Sequence, residues 1–208
     1  MKVISNATAV ILCGGKSSRM GFDKALLKIH DGYLLEELAQ ELKKLFSNVI
    51  LITDRKKKLE SMDKLRGFRI LEDLYPECGP LGAITTGFLE TSDPYIFALA
   101  CDIPKANISL IKSMYSQIEQ NQILLLESQG KIEPLFSFYH RSVLPVFREQ
   151  LEDGDYKIRK NFDKFTVSTY SVRDPESVLY NLNTPDDLKS WKEKNRKKKL
   201  QNQERGEE

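Results

Sequence analysis

The segment that most limits the fold of this chain is a short apolar run that ends abruptly in two glycines. Residues Thr8–Cys13 read TAVILC, and Gly14 and Gly15 follow directly. A short, β-branched apolar run without alternation is typical of a strand that is buried on both faces of a parallel sheet. The sequence therefore predicts a central strand whose carboxyl end opens into a glycine-rich loop.

Strand and helix patterns alternate along the first half of the chain. Leucines recur at helical spacing between Leu34 and Phe46, and the apolar run Val49–Thr53 follows as a second strand. The alternation continues with a charged helical stretch at 56–65, a strand at 68–71, a helix after Pro80 and a strand at 95–100. Alternation of this kind predicts a doubly wound α/β fold, in which helices flank a mostly parallel sheet.

The second half of the chain predicts a departure from a purely parallel sheet. Apolar runs at 123–126 and 135–139 are separated by the turn-rich segment SQGK, which forms either a hairpin or an excursion at the sheet edge. We therefore expect a mixed sheet. A final helix is predicted to open at Pro185, with Thr184 as its N-cap and Trp191 packing back on the body.

Length and composition indicate one domain. The chain has 208 residues, of which 40% are hydrophobic and 30% charged, enough for a core and a solvated surface. We predict a single domain over residues 1–195 and a charged, disordered tail over residues 196–208.

Charge and cysteine content exclude several classes of protein. The net charge is only +2, so no overall field favours nucleic acid or an acidic membrane surface. The three cysteines lie far apart, without the spacing of a disulfide framework or a zinc site. The apolar run near the N-terminus is shorter than the about 20 residues that a membrane-spanning helix needs. We expect a cytoplasmic protein that binds neither nucleic acid nor membrane.

The loop that follows the first strand carries groups suited to binding an anion. Gly14 and Gly15 let backbone N–H groups approach a phosphate, and Arg19 and Lys24 supply positive charge. The spacing matches neither the Walker A motif nor the Rossmann glycine fingerprint. From these residues alone, two interpretations stay open: a phosphate-binding loop, or a flexible glycine turn with incidental cations.

A carboxylate emerges where another predicted strand ends. The apolar run 95–100 leads directly into Cys101 and Asp102, so Asp102 is expected at the same edge of the sheet as the glycine loop. Magnesium favours one or two carboxylates together with phosphate oxygens and water. Asp102 is therefore a candidate magnesium ligand, the alternative being a turn or N-cap residue.

The opening loop also resembles a known family. The string LCGGKSSRMGFDKALL is similar to the first loop of the nucleotidyltransferases typified by molybdenum cofactor guanylyltransferase, with a cysteine where alanine is common. In that family the loop holds the base and the triphosphate of a nucleotide. The resemblance implies nucleotide contacts for Leu12, Cys13, Gly14 and Gly15, phosphate binding by Arg19 and Lys24, and magnesium and nucleotide binding by Asp102.

The resemblance extends to two segments nearer the middle of the chain. Family members carry an aspartate followed by a G-P-L segment, which corresponds here to Asp73 and Gly79–Leu81 and implies further nucleotide contacts. Asp54 follows the second strand, where relatives often have asparagine. Because a carboxylate offers acceptors but no amide donor, Asp54 is either a nucleotide contact or a solvated loop residue.

Two later segments extend the likeness to roughly residues 8–192. Residues 131–139, KIEPLFSFY, resemble the strand on the acceptor side of the family's site, and residues 181–187 resemble its N-x-N-T-P segment. The resemblance implies that Asn181 and Asn183 bind the acceptor. For Asn183 the alternative is a helix cap.

The family likeness implies a defined reaction. GTP and a molybdopterin-type molybdenum cofactor would be joined with loss of pyrophosphate, with magnesium as cofactor and Arg19, Lys24 and Asp102 as catalytic residues. Proteins that deliver the cofactor, or molybdoenzymes that receive it, are the implied protein partners. Three alternatives stay open: a CTP-dependent enzyme for the same cofactor, a sugar-phosphate nucleotidyltransferase, and a non-catalytic nucleotide-binding protein.

Overall fold

The glycine-terminated strand lies near the middle of the sheet. In the computed structural model, which describes residues 3–14, 27–29, 32–128, 130–172, 182 and 186–193, this strand is β1 (Ile4–Leu12). Other strands are β2 (Lys28–Ile29), β3 (Gly32–Tyr33), β4 (Phe46–Thr53), β5 (Arg69–Glu72), β6 (Tyr95–Ala100), β7 (Ile123–Ser128), β8 (Lys131–His140) and β9 (Val167–Val172). Seven of them form one sheet in the order β5-β4-β1-β6-β8-β7-β9, while β2 and β3 form a separate antiparallel pair.

Helices cover both faces of this sheet. They are α1 (Leu34–Lys43), α2 (Lys56–Glu60), α3 (Gly79–Glu90), α4 (Ile108–Tyr115), α5 (Leu144–Glu152) and α6, residues 186–193. β8 runs antiparallel to both of its neighbours, and the other pairs of adjacent strands in the large sheet are parallel. The predicted doubly wound, mostly parallel mixed sheet is confirmed.

Successive side chains of β1 point to opposite faces of the sheet and so belong to two different apolar layers. Ala9 and Ile11 belong to a core cluster shared with α1 and α4. Val10 and Leu12 belong to a second cluster, shared with α3 and α5 on the other face. Because both faces of β1 are covered, the strand contains apolar residues at successive positions, and its predicted central place is confirmed.

The helix α3 packs very close to the central strand. A Cβ added to Gly87 would lie 3.0 Å from Cγ2 of Val10, so glycine permits this approach. At the other end of α3, Pro80 stands in the first turn, where its missing N–H is not needed. The sequence pattern therefore explains where α3 begins and how its middle reaches the sheet.

A proline interrupts the regular pairing of β8. Pro134 cannot donate to a ladder, and the register between β7 and β8 shifts at Leu124 and Leu126. The Ser137 hydroxyl bridges the irregularity by donating to Glu133 O at 2.7 Å and accepting from Leu126 N at 3.3 Å. The SQGK segment thus joins β7 and β8 as a hairpin, and β8 lies inside the sheet and not at its edge.

Several boundaries differ from the sequence-based prediction. α1 ends at Lys43, and Phe46 already begins β4. The charged stretch 56–65 is not one helix, because the extended backbone of Met62 separates α2 from a 3₁₀ turn at Asp63–Leu65. Met62 at this break and Leu65 just after it are both buried in the core.

The last described helix docks as expected. Trp191 packs against a small cluster that includes Leu27, Ile29, Leu34 and Leu182. The predicted cap at Thr184 and Pro185, and the tail 196–208, lie outside the described residues. Within the part of the chain that the structure describes, no helix is long and apolar enough to cross a membrane.

Candidate active site

A cleft opens at the carboxyl ends of the parallel strands. It encloses about 540 Å³. In an open α/β sheet this edge is where ligands bind, because loops there diverge to opposite faces. The residues that line it are Leu12, Gly14, Ile52, Thr53, Asp54, Asp73, Pro76, Glu77, Gly79, Pro80, Ala83, Ala100, Cys101, Asp102 and Leu135.

The backbone at the end of β1 is held firmly in place. Cys13 N donates to Ile52 O at 2.7 Å, and the Thr53 hydroxyl donates to Cys13 O at 3.5 Å. The Cys13 side chain belongs to the core cluster under α1 and α4, so any contact that Cys13 makes with a ligand is through its backbone. Gly14 follows at the cleft wall and is exposed.

Asp102 reaches the cleft from the next strand, β6. Cys101 N donates to Leu12 O at 3.2 Å, which joins this loop to the end of β1. Leu182 N donates to the backbone carbonyl of Asp102 at 3.0 Å, so Leu182 lies next to this loop. The side chain is half-buried, and its Oδ1 is shielded from solvent.

Glu133 on β8 is electrostatically coupled to Asp102. Burial raises the pKa of Glu133, the nearby Asp102 charge raises it further, and Lys131 lowers it. Two carboxylates that repel each other favour a cation in their vicinity. Sequence reasoning singled out the KIEPL segment but not Glu133, because the coupling arises only when β8 pairs with β6.

This donor set fits magnesium better than a metal that needs a full protein cage. Among the described residues, no group of three or more His, Cys, Asp and Glu side chains is placed to hold a metal ion. Magnesium characteristically takes one or two carboxylates and completes its shell with phosphate oxygens and water. Asp102 supplies one carboxylate of this kind at the wall of the cleft.

A second pair of carboxylates lies at the other side of the cleft. Asp73 Oδ1 accepts hydrogen bonds from Tyr75 N at 3.0 Å and from the Thr86 hydroxyl at 2.8 Å. Burial raises the pKa of Asp73, those two hydrogen bonds lower it, and the charge of Asp54 raises it. Asp54 itself is exposed and forms an ion pair with Arg55, with 3.7 Å between Asp54 Oδ1 and Arg55 Nε.

The loop before α3 forms the remaining wall. Gly79 has a positive φ of 62°, which glycine adopts without strain and which turns the chain into the helix. Gly79 and Pro80, the first residues of α3, line the cleft, and the N-terminus of a helix is a favourable place for an anion.

Comparison with known proteins identifies the family of this chain. The family model described as MobA-like NTP transferase domain matches residues 9–169. The chain belongs to this family.

Individual members of the MobA-like family match nearly the whole chain. A "Probable molybdenum cofactor guanylyltransferase" of Peptoclostridium acidaminophilum is 31% identical, with 88% of this chain and 87% of the relative covered. The molybdenum cofactor guanylyltransferase of Syntrophotalea carbinolica is also 31% identical, with 89% and 90% covered.

A solved structure extends the likeness to the fold. The molybdopterin-guanine dinucleotide biosynthesis protein A of Archaeoglobus fulgidus superposes with a TM-score of 0.75 at 21% identity, covering 91% of this chain and 99% of the other. The shared architecture places a MobA-like fold around the cleft described above.

The structure gathers many of the predicted site residues of this MobA-like chain into one cleft. Leu12, Gly14, Asp54, Asp73 and Asp102 line it, together with Gly79 and Pro80. Leu81 is buried in the core under α3 instead. The predicted residues Gly15, Arg19, Lys24, Asn181 and Asn183 lie outside the described residues.

Two threonines that support the cleft, Thr53 in its wall and Thr86 behind Asp73, were not predicted from the sequence. Thr53 ends a strand whose apolar run was recognised, yet its hydroxyl also accepts from Arg55 N at 3.0 Å and so shapes the Asp54 loop. Thr86 lies within a helix, thirteen residues from Asp73. No local pattern distinguishes such a hydroxyl from any other buried threonine.

Proposed function

We propose that this MobA-like protein transfers GMP from GTP to a molybdopterin-type molybdenum cofactor and releases pyrophosphate. The observation that carries the proposal is that Asp102, Asp73 and the end of β1 line one cleft. This cleft lies where the strand order of the sheet changes direction, which is where open α/β sheets bind ligands. The names of the relatives, molybdenum cofactor guanylyltransferases over nearly the full length, support the choice of substrates.

In the proposed reaction, an oxygen of the cofactor's terminal phosphate attacks the α-phosphorus of GTP. A new phosphoanhydride bond forms there, and the bond from the α-phosphorus to the oxygen that bridges to the β-phosphate breaks. Pyrophosphate leaves with that electron pair. No protein nucleophile is needed, since positioning and charge neutralisation supply most of the catalysis in reactions of this type.

The protein's own residues would divide this work between the two sides of the cleft. Asp102 would hold magnesium, which supplies charge neutralisation at the phosphates when bound. Arg19 and Lys24, carried over from the family motif, would stabilise phosphate oxygens. Asn181 and Asn183 would contact the acceptor, and Leu182 N–H is already tied to the backbone beside Asp102.

The acidic side of the cleft favours guanine in this proposal. Ionised Asp73 and Asp54 are acceptors only, and guanine presents adjacent N–H donors on its ring and its amino group. Cytosine offers an amino donor next to ring acceptors, which carboxylates cannot satisfy. The proposed base preference therefore follows from hydrogen-bond complementarity at this wall.

The deciding experiment mixes the purified protein with magnesium, molybdenum cofactor and either GTP or CTP, and measures pyrophosphate and product mass. We expect a guanine dinucleotide product with GTP alone. Product with CTP alone would retain the reaction and overturn the base. Tight nucleotide binding without product would indicate another acceptor, such as a sugar phosphate, or a binding protein without turnover.

The glycine loop has its own test. Lys24→Ala should raise the dissociation constant for GTP, because a cation at the triphosphate is lost. An unchanged constant would mean that the loop has only a structural role.

Omission of magnesium should abolish pyrophosphate release, and undiminished release with a chelator present would contradict the metal requirement.

A further inference from the structure

A buried hydroxyl of α3 holds one oxygen of Asp73. Thr86 is fully buried, and its Oγ1 donates to Asp73 Oδ1 at 2.8 Å. The same Oγ1 accepts from Leu74 N at 3.1 Å, which directs its hydrogen toward the carboxylate. Tyr75 N donates to the same Oδ1 at 3.0 Å. Two hydrogen bonds to Oδ1, and a third that orients the Thr86 hydroxyl, therefore fix the Asp73 side chain.

The arrangement leaves one oxygen of Asp73 for a ligand. Oδ1 already accepts two hydrogen bonds. Within the residues that the structure describes, no donor bonds Oδ2, and Asp73 lines the cleft. A rigid carboxylate with one oxygen occupied presents a single, directed acceptor to whatever enters.

The hydrogen bond from Thr86 counteracts the effects that favour protonation of Asp73. Burial raises the pKa of Asp73, and the carboxylate of Asp54 across the loop raises it further, while the hydrogen bonds from Tyr75 N and Thr86 lower it. A protonated Asp73 would become a donor and would no longer match a donor on a ligand. The hydroxyl of Thr86 thus favours the ionised, accepting form.

We propose that Thr86 is a positioning residue of the nucleotide site, whose hydroxyl aims Asp73 Oδ2 at a hydrogen-bond donor on the base of the bound nucleoside triphosphate. This inference rests on the proposed function, since it assumes that a nucleotide occupies the cleft. Thr86 acts through Asp73 and does not itself touch the ligand.

The chain offers a closely matched control for the test. Thr85, the neighbouring residue on α3, is also fully buried, and its hydroxyl donates to Leu81 O within the helix at 2.8 Å. Thr85→Val and Thr86→Val each remove one buried hydroxyl at nearly constant volume. Only the second change alters the environment of Asp73.

The experiment measures the dissociation constant of a fluorescent GTP analogue from pH 5.5 to 8, together with KM and kcat for GTP. We expect Thr86→Val to raise KM about tenfold, the effect of losing one charge-assisted hydrogen bond, with kcat within twofold of wild type. Affinity should also begin to fall at a higher pH than in wild type, because the Asp73 pKa rises further. Thr86→Ser should restore wild-type behaviour, and Thr85→Val should leave affinity unchanged.

A double-mutant cycle separates positioning through Asp73 from a general effect on α3. In an Asp73→Asn background, Thr86→Val should cause no further loss of affinity. If Thr86→Val does not fold, Thr86→Ala takes its place in the same comparisons. Wild-type affinity and pH dependence in the Thr86 variant would overturn the inference, as would an equal loss in Thr85→Val.

The outcomes also separate this inference from the proposed function. A wild-type protein that binds no nucleoside triphosphate contradicts the proposed function and the inference together. A wild-type protein that binds GTP, with an unaffected Thr86 variant, overturns the inference alone.

Discussion

Gly82 packs directly against the carbonyl of Tyr75, so that a Cβ at residue 82 would lie 2.7 Å from Tyr75 O. A Cβ there would also lie 2.9 Å from the Tyr75 Cβ, and neither neighbour is the flexible end of a side chain. The contact sets how closely α3 approaches the loop that carries Asp73. The absence of a side chain at Gly82 therefore shapes the acidic wall of the cleft.

Gly82→Ala should move the 73–78 loop and weaken nucleotide binding. We expect a stability loss of about 1–3 kcal/mol from overpacking, partly offset by the higher helix propensity of alanine. The dissociation constant for GTP should rise severalfold, because the Asp73 carboxylate shifts with its loop. Thermal unfolding and nucleotide titration measure the two effects.

Gly87→Ala is the matched control on the same helix. Its Cβ would meet side-chain methyl groups of Val10 at 3.0 and 3.3 Å, and its three nearest neighbours include no atom of the 73–78 loop. We expect a change in unfolding free energy with an unaltered GTP dissociation constant. Equal losses of affinity in both variants would contradict the assigned role of Gly82.

Asp54→Asn should extend nucleotide binding to lower pH. The Asp54 charge raises the pKa of Asp73, so removing it lowers that pKa. Asp73 then keeps its charge as the pH falls further. Because the Asp54 side chain is 47% exposed, solvent screens the coupling, and we expect the shift toward lower pH to be small.

The Asp54→Asn shift is measured as the GTP dissociation constant between pH 5 and 8. Asp63→Asn, an exposed carboxylate in the 3₁₀ turn after α2, provides the control for a change in net charge. If GTP affinity in the Asp54 variant began to fall at a higher pH than in wild type, the coupling between Asp54 and Asp73 would be contradicted.

Asp102→Ala should abolish turnover and leave the fold intact. The residue lines the cleft and does not belong to the core, so unfolding should change little. Loss of a group that supports charge at the reacting phosphates typically costs at least about 100-fold in rate. Pyrophosphate release and circular dichroism test both statements, and full activity would refute the proposed metal role.

Arg141→Met should destabilise the protein without changing its activity. The guanidinium donates to Phe88 O at 2.9 Å, to Asp93 O at 3.2 Å and also to Thr91 O, and so satisfies carbonyls at and after the end of α3. We expect a loss of about 2 kcal/mol, the typical cost when a charged donor leaves acceptors unsatisfied. Chemical denaturation measures it.

Arg69→Met serves as the comparison for Arg141. Arg69 also bonds near the end of α3, to the backbone and side chain of Glu90, but it is exposed. Exposed pairs contribute less than about 1 kcal/mol. Arg141 is partly buried, and we attribute its larger contribution to this burial. An equal loss of unfolding free energy in Arg69→Met and Arg141→Met would contradict that explanation.

The sequence by itself predicted the elements whose signal is local. β6 has the predicted bounds, Tyr95–Ala100, and β1 lies in the middle of the sheet as its uninterrupted apolar run indicated. The same locality predicted that Asp102 and the glycine-terminated strand meet at one edge, because parallel strands end together. Short helices such as α4 and α5, and the strand β9, lacked a comparably strong pattern.

The tertiary structure decided the features that join distant parts of the chain. The insertion of β8 between β6 and β7 couples Glu133 to Asp102, and the packing of α3 brings Thr86 to Asp73. Hydrophobic periodicity reports which face of an element is buried, since it reflects that element's own geometry. It carries no information on which hydroxyl or carboxylate of another element will lie opposite, because that depends on how complete elements pack.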